Sequence, residues 1–175
     1  TLYNMTTGCD SLITKYIYVA PKPKADFNAS SLCFGSETQF KDTTYLKAGI
    51  LTYLWNFGDA SNPVTSTDQY PTFVYSAPGT YTVTLTATTA LGYSSTKQKT
   101  ITINYTPVSD FAYTNVCFGS TTNFSNTSTV GGGGSMSYVW DLGNGNNSIS
   151  TNPTATYVSS GNYTVKLTTT SNGCS

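Results

Sequence analysis

Histidine and arginine are both absent from this chain of 175 residues, and charged side chains make up only 9% of it. Without histidine, neither Ser-His nor Cys-His nucleophilic catalysis can be assembled. Eight lysines balance eight scattered acidic residues, so the chain has no basic stripe for nucleic acid and no evident carboxylate pair. The sequence therefore predicts a protein that is not an enzyme, needs no cofactor and binds no nucleic acid.

Long apolar runs are also missing. No segment approaches the roughly 20 apolar residues of a membrane-spanning helix, and no helical periodicity indicates a basic amphipathic anchor. We therefore expect no insertion into a membrane. No leader peptide is recognisable at the start of the chain, which predicts a mature or internal segment. The four cysteines form no CxxC pair, so disulfide bonds in an oxidising compartment are favoured over a metal site.

The abundant residues are those of strands and turns. Hydrophobic residues make up 38% of the chain and aromatic residues 14%, while threonine, serine, asparagine and glycine replace the missing charges. Residues 81–88 alternate apolar side chains with threonine, a pattern that predicts a half-buried strand. Similar short strands separated by turn residues predict an all-β protein.

A repeat of about 84 residues organises the sequence, since residues 33–36 recur as residues 117–120 and Trp55 is matched by Trp140. This register predicts three pieces. Residues 1–20 correspond to the last hairpin (strands F and G) of a preceding repeat, residues 21–105 to one whole domain, and residues 106–175 to a domain without its last strand. About seven short strands in each repeat predict tandem immunoglobulin-like β-sandwiches.

The turn Trp-x-Phe-Gly-Asp at residues 55–59, followed by Tyr-x-x-x-Gly-x-Tyr-x-Val at residues 75–83, resembles the polycystic-kidney-disease (PKD) domain family. The second copy keeps the later motif at residues 157–165 but has Leu and Asn in its turn. Trp55 and Trp140 are expected in the cores. Tyr81 and Tyr163 are expected to bond the backbone as tyrosine corners. The turn aspartate could in principle bind calcium, but the second copy lacks the carboxylate, which argues against that role.

A finer pattern, with Cys-x-Gly-Ser before the second strand and Gly-Cys in the last hairpin, is similar to giant cell-surface and gliding-motility adhesins of Bacteroidota. That resemblance implies an extracellular or cell-surface protein of a Gram-negative bacterium, exported by the type IX secretion system. It also implies O-glycosylation at Ser11 and Thr43, each of which follows an aspartate. Ordinary turn chemistry explains the same short motifs equally well.

The cysteines allow two pairings. Cys117 with Cys174 would lie within one repeat, but the loops that carry them are expected at opposite ends of a sandwich, farther apart than a disulfide reaches. In an end-to-end array, Cys33 would meet Cys174 across the domain junction, and we favour this pairing. Cys117 and Cys9 would then have partners outside these 175 residues.

Three functions remain open. The favoured one is a disulfide-stiffened stalk of an adhesin, whose partners are neighbouring repeats and a surface polysaccharide or another cell-surface protein. Residues 20–23, Ala-Pro-Lys-Pro, predict a short semi-rigid connector. The second is an accessory carbohydrate- or protein-binding module of a secreted hydrolase. The third is a filament subunit whose residues 1–19 complete another copy by strand addition. Residues 131–134, four glycines, predict a flexible loop tip rather than a phosphate loop.

Overall fold

The computed structural model describes residues 13–175, which form thirteen strands and one short 3₁₀ helix. The strands of the first domain are β1 (Phe27–Ser30), β2 (Thr38–Asp42), β3 (Leu51–Asn56), β4 (Thr65–Ser66), β5 (Thr72–Phe73), β6 (Gly79–Thr89) and β7 (Ser94–Ile103). Those of the second are β8 (Phe111–Tyr113), β9 (Thr121–Asn126), β10 (Ser137–Asp141), β11 (Asn147–Ser148), β12 (Thr154–Thr156) and β13 (Lys166–Thr170), with the 3₁₀ helix at Gly131–Gly133.

The first domain is a sandwich of two antiparallel sheets. One sheet has the order β1-β2-β5 and the other β4-β3-β6-β7, which is the strand arrangement of an immunoglobulin-like domain. The long strand β6 pairs with β3 along its second half and with β7 along ten residues. The predicted all-β, immunoglobulin-like fold is confirmed.

The core of the first domain is built from inward-facing residues of both sheets. Along β6, Val83, Leu85 and Ala87 are buried while the intervening threonines are partly exposed, because successive side chains of a strand point to opposite faces. Trp55 is fully buried at the centre. Its ring contacts two phenylalanines at centroid distances of 5.2 and 5.6 Å, in tilted or edge-on geometries that aromatic pairs favour. The buried core consists of Phe27, Phe40, Trp55, Phe57, Phe73, Tyr75, Val83, Leu85, Ile101 and Ile103.

The second domain repeats this plan with one strand fewer. Its sheets have the orders β12-β9-β8 and β11-β10-β13, and no strand within residues 13–175 lies beside β13 where β7 lies beside β6. Its core is correspondingly smaller, with Phe124, Trp140, Leu142 and Ala155 buried. The side chains that match the fully buried Val83 and Leu85 are Val165 and Leu167, and both are only half-buried.

Residues 13–20 form no strand or helix, and residues 1–12 lie outside the described part of the chain. The hairpin predicted for residues 1–20 therefore stays a prediction over most of its length. No helix in the described part of the chain is long and apolar enough to cross a membrane.

Candidate functional site at the domain junction

A disulfide joins the two domains. Cys33, in the loop between β1 and β2, is bonded to Cys174, which follows β13, with a Cα–Cα distance of 5.6 Å. The bond links residues 141 positions apart and belongs to both domains. Cys174 is therefore not bonded to Cys117, whose thiol is exposed and has no disulfide partner within residues 13–175.

The hairpin turn that carries Cys174 is determined by the residues of the turn itself. Ser171 and Cys174 exchange two backbone hydrogen bonds of 2.8 Å each, and the two residues between them, Asn172 and Gly173, have φ values of 48° and 78°. Left-handed backbone at both central positions is the type I′ turn, for which Asn-Gly is the preferred dipeptide. The turn holds the cysteine at the tip of the second domain.

The chain between the domains is itself hydrogen-bonded to the same loop. Asn104 donates its amide to the carbonyl of Leu32 and accepts from the amide of Phe34, both at 2.8 Å. The hydroxyl of Thr106 donates to the carbonyl of Phe34 at 2.7 Å. The loop around Cys33 is therefore attached to the linker by hydrogen bonds and to the second domain by a covalent bond.

The glycine run is part of this junction and forms the 3₁₀ helix, while its predicted flexibility stays a prediction. The ring of Tyr105, in the linker, lies so close to the 3₁₀ helix that a Cβ atom on Gly131 would stand 2.2 Å from its Cδ1 atom. A Cβ on Gly132 would stand 2.9 Å from the same ring. Glycine is needed here because only a backbone without side chains allows the ring to approach.

Sequence reasoning missed Asn104 and Tyr105. The repeat could not indicate them, since the matching positions near residue 20 are alanine and proline. The one available signal was the glycine run itself, which has no counterpart in the first repeat. Glycine often marks a place where another group packs closely against the backbone.

The turn after β3 is held by hydrogen bonds to a buried carboxylate. Asp59, only 4% exposed, accepts hydrogen bonds from the amide of Ser61 and from the amide and hydroxyl of Ser76, at 2.7–2.9 Å. Burial alone would raise the pKa of Asp59, but these hydrogen bonds hold the pKa below its ordinary value. Its carboxylate oxygens are thus engaged by protein donors. Among residues 13–175, no three His, Cys, Asp or Glu side chains cluster as metal ligands would.

The second domain builds the matching turn with an amide. Asn144 accepts from the amide of Asn146 at 3.1 Å and donates to the carbonyl of Thr156 at 3.3 Å. In both turns a glycine precedes this residue at positive φ, and a Cβ there would lie 2.3 Å from the carbonyl oxygen of Thr82 or 2.5 Å from that of Thr164. The shared requirement is a tight turn, and Asp and Asn both satisfy it.

The other residues singled out from the sequence occupy structural positions. Trp55 and Trp140 are fully buried, and each indole donates to a backbone carbonyl, at 2.8 and 3.0 Å. The hydroxyls of Tyr81 and Tyr163 donate to carbonyls four residues earlier, at 2.7 and 3.0 Å. Thr43 is exposed at the end of β2. Ser11 and Cys9 lie outside the described residues.

Two sandwiches in series, joined by a disulfide and a hydrogen-bonded linker, define this protein as a tandem immunoglobulin-like module. The family model described as PKD domain matches residues 19–104 and again residues 104–175. The chain belongs to the PKD domain family.

Similar proteins place such domains within longer chains. The chain is 32% identical over 152 residues to the pre-pro-metalloprotease PrtV of Vibrio cholerae serotype O1. This alignment covers 85% of the present chain and 16% of PrtV. The chain is also 42% identical over 79 residues to collagenase ColA of Bacillus cereus, covering 44% of this chain and 8% of that protein. The chain thus spans less than a fifth of the length of either relative.

Among solved structures, the PKD1 domain of Vibrio anguillarum Epp matches with 28% identity and a TM-score of 0.42, over 47% of this chain and 93% of that one. The PKD1 domain of the V. cholerae metalloprotease PrtV matches with 35% identity and a TM-score of 0.38, over 49% of this chain and 98% of that one. Each of these single domains corresponds to about half of the present chain.

Proposed function

We propose that this chain is a non-catalytic spacer segment of an extracellular protein, in which consecutive PKD domains are locked into a stiff rod. The observation that carries the proposal is the junction. One loop of the first domain is fastened to the second domain by the Cys33–Cys174 disulfide and to the linker by backbone hydrogen bonds. A spacer needs a fixed angle between its units, and these two fastenings oppose bending about the linker.

The stiffness has a simple physical basis. A flexible linker lets two domains rotate freely, whereas this linker cannot swing without breaking the hydrogen bonds of Asn104 to the loop. Those bonds alone contribute about 1 kcal/mol each, so thermal motion would open them often. The disulfide keeps the loop and the second domain together during such openings, and the junction re-forms.

In this proposal, disulfides equivalent to Cys33–Cys174 also join the neighbouring domains of the array. The loop around Cys117 has the turn of its counterpart, with Ser120 donating its amide to the carbonyl of Cys117 at 3.0 Å as Ser36 does to that of Cys33 at 3.1 Å. Its thiol is exposed. Cys117 would bond a cysteine of a following domain, and Cys9 one of a preceding domain.

The disulfide also supports an extracellular location, because structural disulfides persist in oxidising compartments. The low charge and the threonine-rich sheet faces suit a polar surface outside the cell. In the favoured form of the proposal, the rod belongs to a bacterial cell-surface adhesin. It would then hold a distal domain that contacts a polysaccharide or another surface protein.

A second context is favoured by the relatives. A metalloprotease and a collagenase are among the proteins similar to this chain, which supports an accessory module placed beside the catalytic domain of a hydrolase. The rod would act in the same way in either context. The sequence of the whole polypeptide separates them: a long series of PKD repeats supports the adhesin, and a flanking peptidase domain supports the accessory module.

Small-angle X-ray scattering tests the spacer itself. We expect the oxidised chain to fit a single extended two-domain shape, and the Cys33→Ser, Cys174→Ser double variant to require a broader range of interdomain angles. Cys117→Ser is the matched control and should scatter like the parent chain. Equal breadth of the interdomain distribution in the parent and in the double variant would overturn the proposed role of the clamp.

A further inference from the structure

Two Asn-Gly dipeptides occur in the chain, at residues 144–145 and 172–173. In such a dipeptide the backbone nitrogen of the glycine can attack the side-chain carbonyl carbon of the asparagine, because glycine has no Cβ to hinder the approach. In a folded protein the reaction depends on how firmly the side chain and the turn are held. The two sites differ in that respect.

The first site holds both atoms of its side-chain amide. Oδ1 of Asn144 accepts from the amide of Asn146 at 3.1 Å, and Nδ2 donates to the carbonyl of Thr156 at 3.3 Å. Both hydrogen bonds have to break before the side chain can turn toward the nitrogen of Gly145. We therefore expect Asn144 to react slowly.

The second site leaves both reacting groups free. Asn172 is exposed, and its side chain makes no hydrogen bond within residues 13–175. The backbone hydrogen bonds of its turn connect only Ser171 and Cys174, so the amide of Gly173 has no backbone acceptor among the same residues. Neither the electrophilic carbon nor the attacking nitrogen is engaged elsewhere.

The reaction needs a change of backbone angle at Asn172. Its φ of 48° and that of Gly173, 78°, are those of a type I′ turn, in which the Gly173 nitrogen does not lie against Cγ of Asn172. The ring therefore closes while the two hydrogen bonds of the turn are open. A short turn at an exposed loop tip opens locally without unfolding of the domain.

We propose that Asn172 is a deamidation site whose conversion loosens the domain junction. The nitrogen of Gly173 forms a bond to Cγ of Asn172, the bond between Cγ and Nδ2 breaks, and ammonia leaves with the amide proton. Water then opens the cyclic imide at one of its two carbonyl groups. One opening gives aspartate, and the other gives isoaspartate, in which the main chain runs through the former side chain.

Isoaspartate changes the turn that carries Cys174. It lengthens the main chain before Gly173, so the turn loses the geometry in which Ser171 and Cys174 exchange two hydrogen bonds of 2.8 Å. It also adds a carboxylate. Beside the turn lies a cavity of about 260 Å³ between the domains, and all of its lining residues, Tyr105 and Gly131 among them, are uncharged. The carboxylate therefore gains no cation there.

The junction is affected because this turn holds the disulfide to the second domain. Cys174 is bonded to Cys33, and the carbonyl oxygen of Gly173 lies 4.0 Å from Sγ of Cys33. After deamidation the covalent bond remains, but the hydrogen bonds to Ser171 no longer fix Cys174. The consequence for stiffness rests on the proposed spacer function, whereas the reaction itself does not.

Peptide mapping of the chain after ageing at neutral pH tests the reaction. Cleavage after Lys166 and reduction release residues 167–175, in which Asn172 is the only asparagine. The mass gained when an amide becomes a carboxyl group is therefore assigned to that residue. An isoaspartate-specific methyltransferase detects the isoaspartyl form. We expect Asn172 to convert several-fold faster than Asn144 in the same sample.

Two variants separate the reaction from its effects. Asn172→Gly cannot react, and Gly-Gly is also a preferred type I′ pair. Asn172→Asp adds the charge without lengthening the main chain, and Asp-Gly suits the same turn. Ageing should increase hydrogen exchange at the amides of Ser171 and Cys174 in the parent chain. Aged Asn172→Gly and fresh Asn172→Asp should keep the protection of the fresh parent.

Small-angle X-ray scattering of the same samples measures the effect on the junction. The range of interdomain angles should widen in the aged parent chain and stay narrow in aged Asn172→Gly. Both samples keep the Cys33–Cys174 bond, so the difference reports on the turn alone.

Conversion of Asn172 no faster than that of Asn144 overturns the proposal. So does complete conversion of Asn172 that leaves the protection of Ser171 and Cys174 unchanged. A failure of the spacer function looks different, because the fresh parent chain would then scatter like the variant without the disulfide while the peptide map and the hydrogen exchange still reported deamidation and an opened turn.

Discussion

The ring of Tyr105 packs directly on the backbone of Gly131, and an alanine Cβ at that position would overlap the ring at 2.2 Å. This contact joins the linker to the second domain, one residue after Asn104 makes its hydrogen bonds to the loop of the first domain. It makes the junction a three-part structure in which an aromatic contact, backbone pairing and a disulfide all restrain the same few residues.

Gly131→Ala should therefore destabilise the second domain by about 1–3 kcal/mol, as overpacking of a closed contact does. The backbone of Gly131 does not lie in the left-handed region, so the cost comes from the ring and not from φ. Thermal unfolding followed by Trp140 fluorescence, in a Trp55→Phe background, reports on this domain. In a Tyr105→Ser background the same alanine should cost much less, and an undiminished cost would show that the ring is not responsible.

The tyrosine corners should contribute equally in the two domains. Tyr81 and Tyr163 donate to backbone carbonyls at 2.7 and 3.0 Å, and removing the hydroxyl should cost about 1 kcal/mol in each case. Tyr81→Phe is measured through Trp55 in a Trp140→Phe background, and Tyr163→Phe through Trp140 in a Trp55→Phe background. Tyr113→Phe is the control, because Tyr113 is 60% exposed. An unchanged unfolding midpoint for both variants would contradict the prediction.

Acid should weaken the first domain through Asp59. Hydrogen bonds from Ser76 and Ser61 outweigh burial and lower the pKa of this carboxyl in the folded state. Its contribution is therefore fully present above the unfolded-state pKa of about 3.9 and is lost as the pH falls through the lower folded-state value. Asp26, whose pKa is lowered by Lys99, acts in the same direction.

Asp59→Asn isolates the part due to Asp59. The variant should lose about 1–2 kcal/mol of the first domain's unfolding free energy at neutral pH, and its urea-unfolding midpoint should fall less between neutral pH and pH about 3. Glu37→Gln, at an exposed position, is the matched control. A variant as acid-sensitive as the parent chain would show that other groups govern the acid response.

Reduction should lower stability as well as stiffness. Opening the Cys33–Cys174 bond releases a closed loop of 141 residues, for which the chain-entropy estimate is at most about 5 kcal/mol. The loss of unfolding free energy should appear mainly in the second domain, because its smaller core contributes less stability of its own. Differential scanning calorimetry with and without reductant measures it. The Cys33→Ser, Cys174→Ser variant should be insensitive to reductant, and a parent chain equally insensitive would contradict the prediction.

Much of the fold follows from local patterns. The alternation in β6 and the repeated Trp and Tyr motifs indicate β-sandwiches because strand periodicity and turn chemistry are properties of neighbouring residues. Strand ends are less well indicated. The strand predicted over residues 81–88 begins at Gly79 and ends at Thr89, because pairing with another strand decides where a strand starts.

The junction could be anticipated only in part. The sequence leaves two partners open for Cys174, and the structure contains the bond to Cys33. Nothing in the repeat indicates that a tyrosine ring packs against the glycine run. A run of glycines has the same sequence whether it forms a loose loop or a surface for close packing. The ring and the glycines are more than twenty residues apart, and only the folded chain brings them together.

The sequence by itself determined that this protein is a series of β-sandwiches of the PKD family, with buried tryptophans and tight glycine turns, because those features depend on side-chain periodicity and on short turns. The tertiary structure alone decided which of the two open partners Cys174 takes and which residues of the linker pack against each sandwich. Both depend on contacts between segments far apart in the chain, where the geometry of packed strands, and not the order of residues, selects the neighbours.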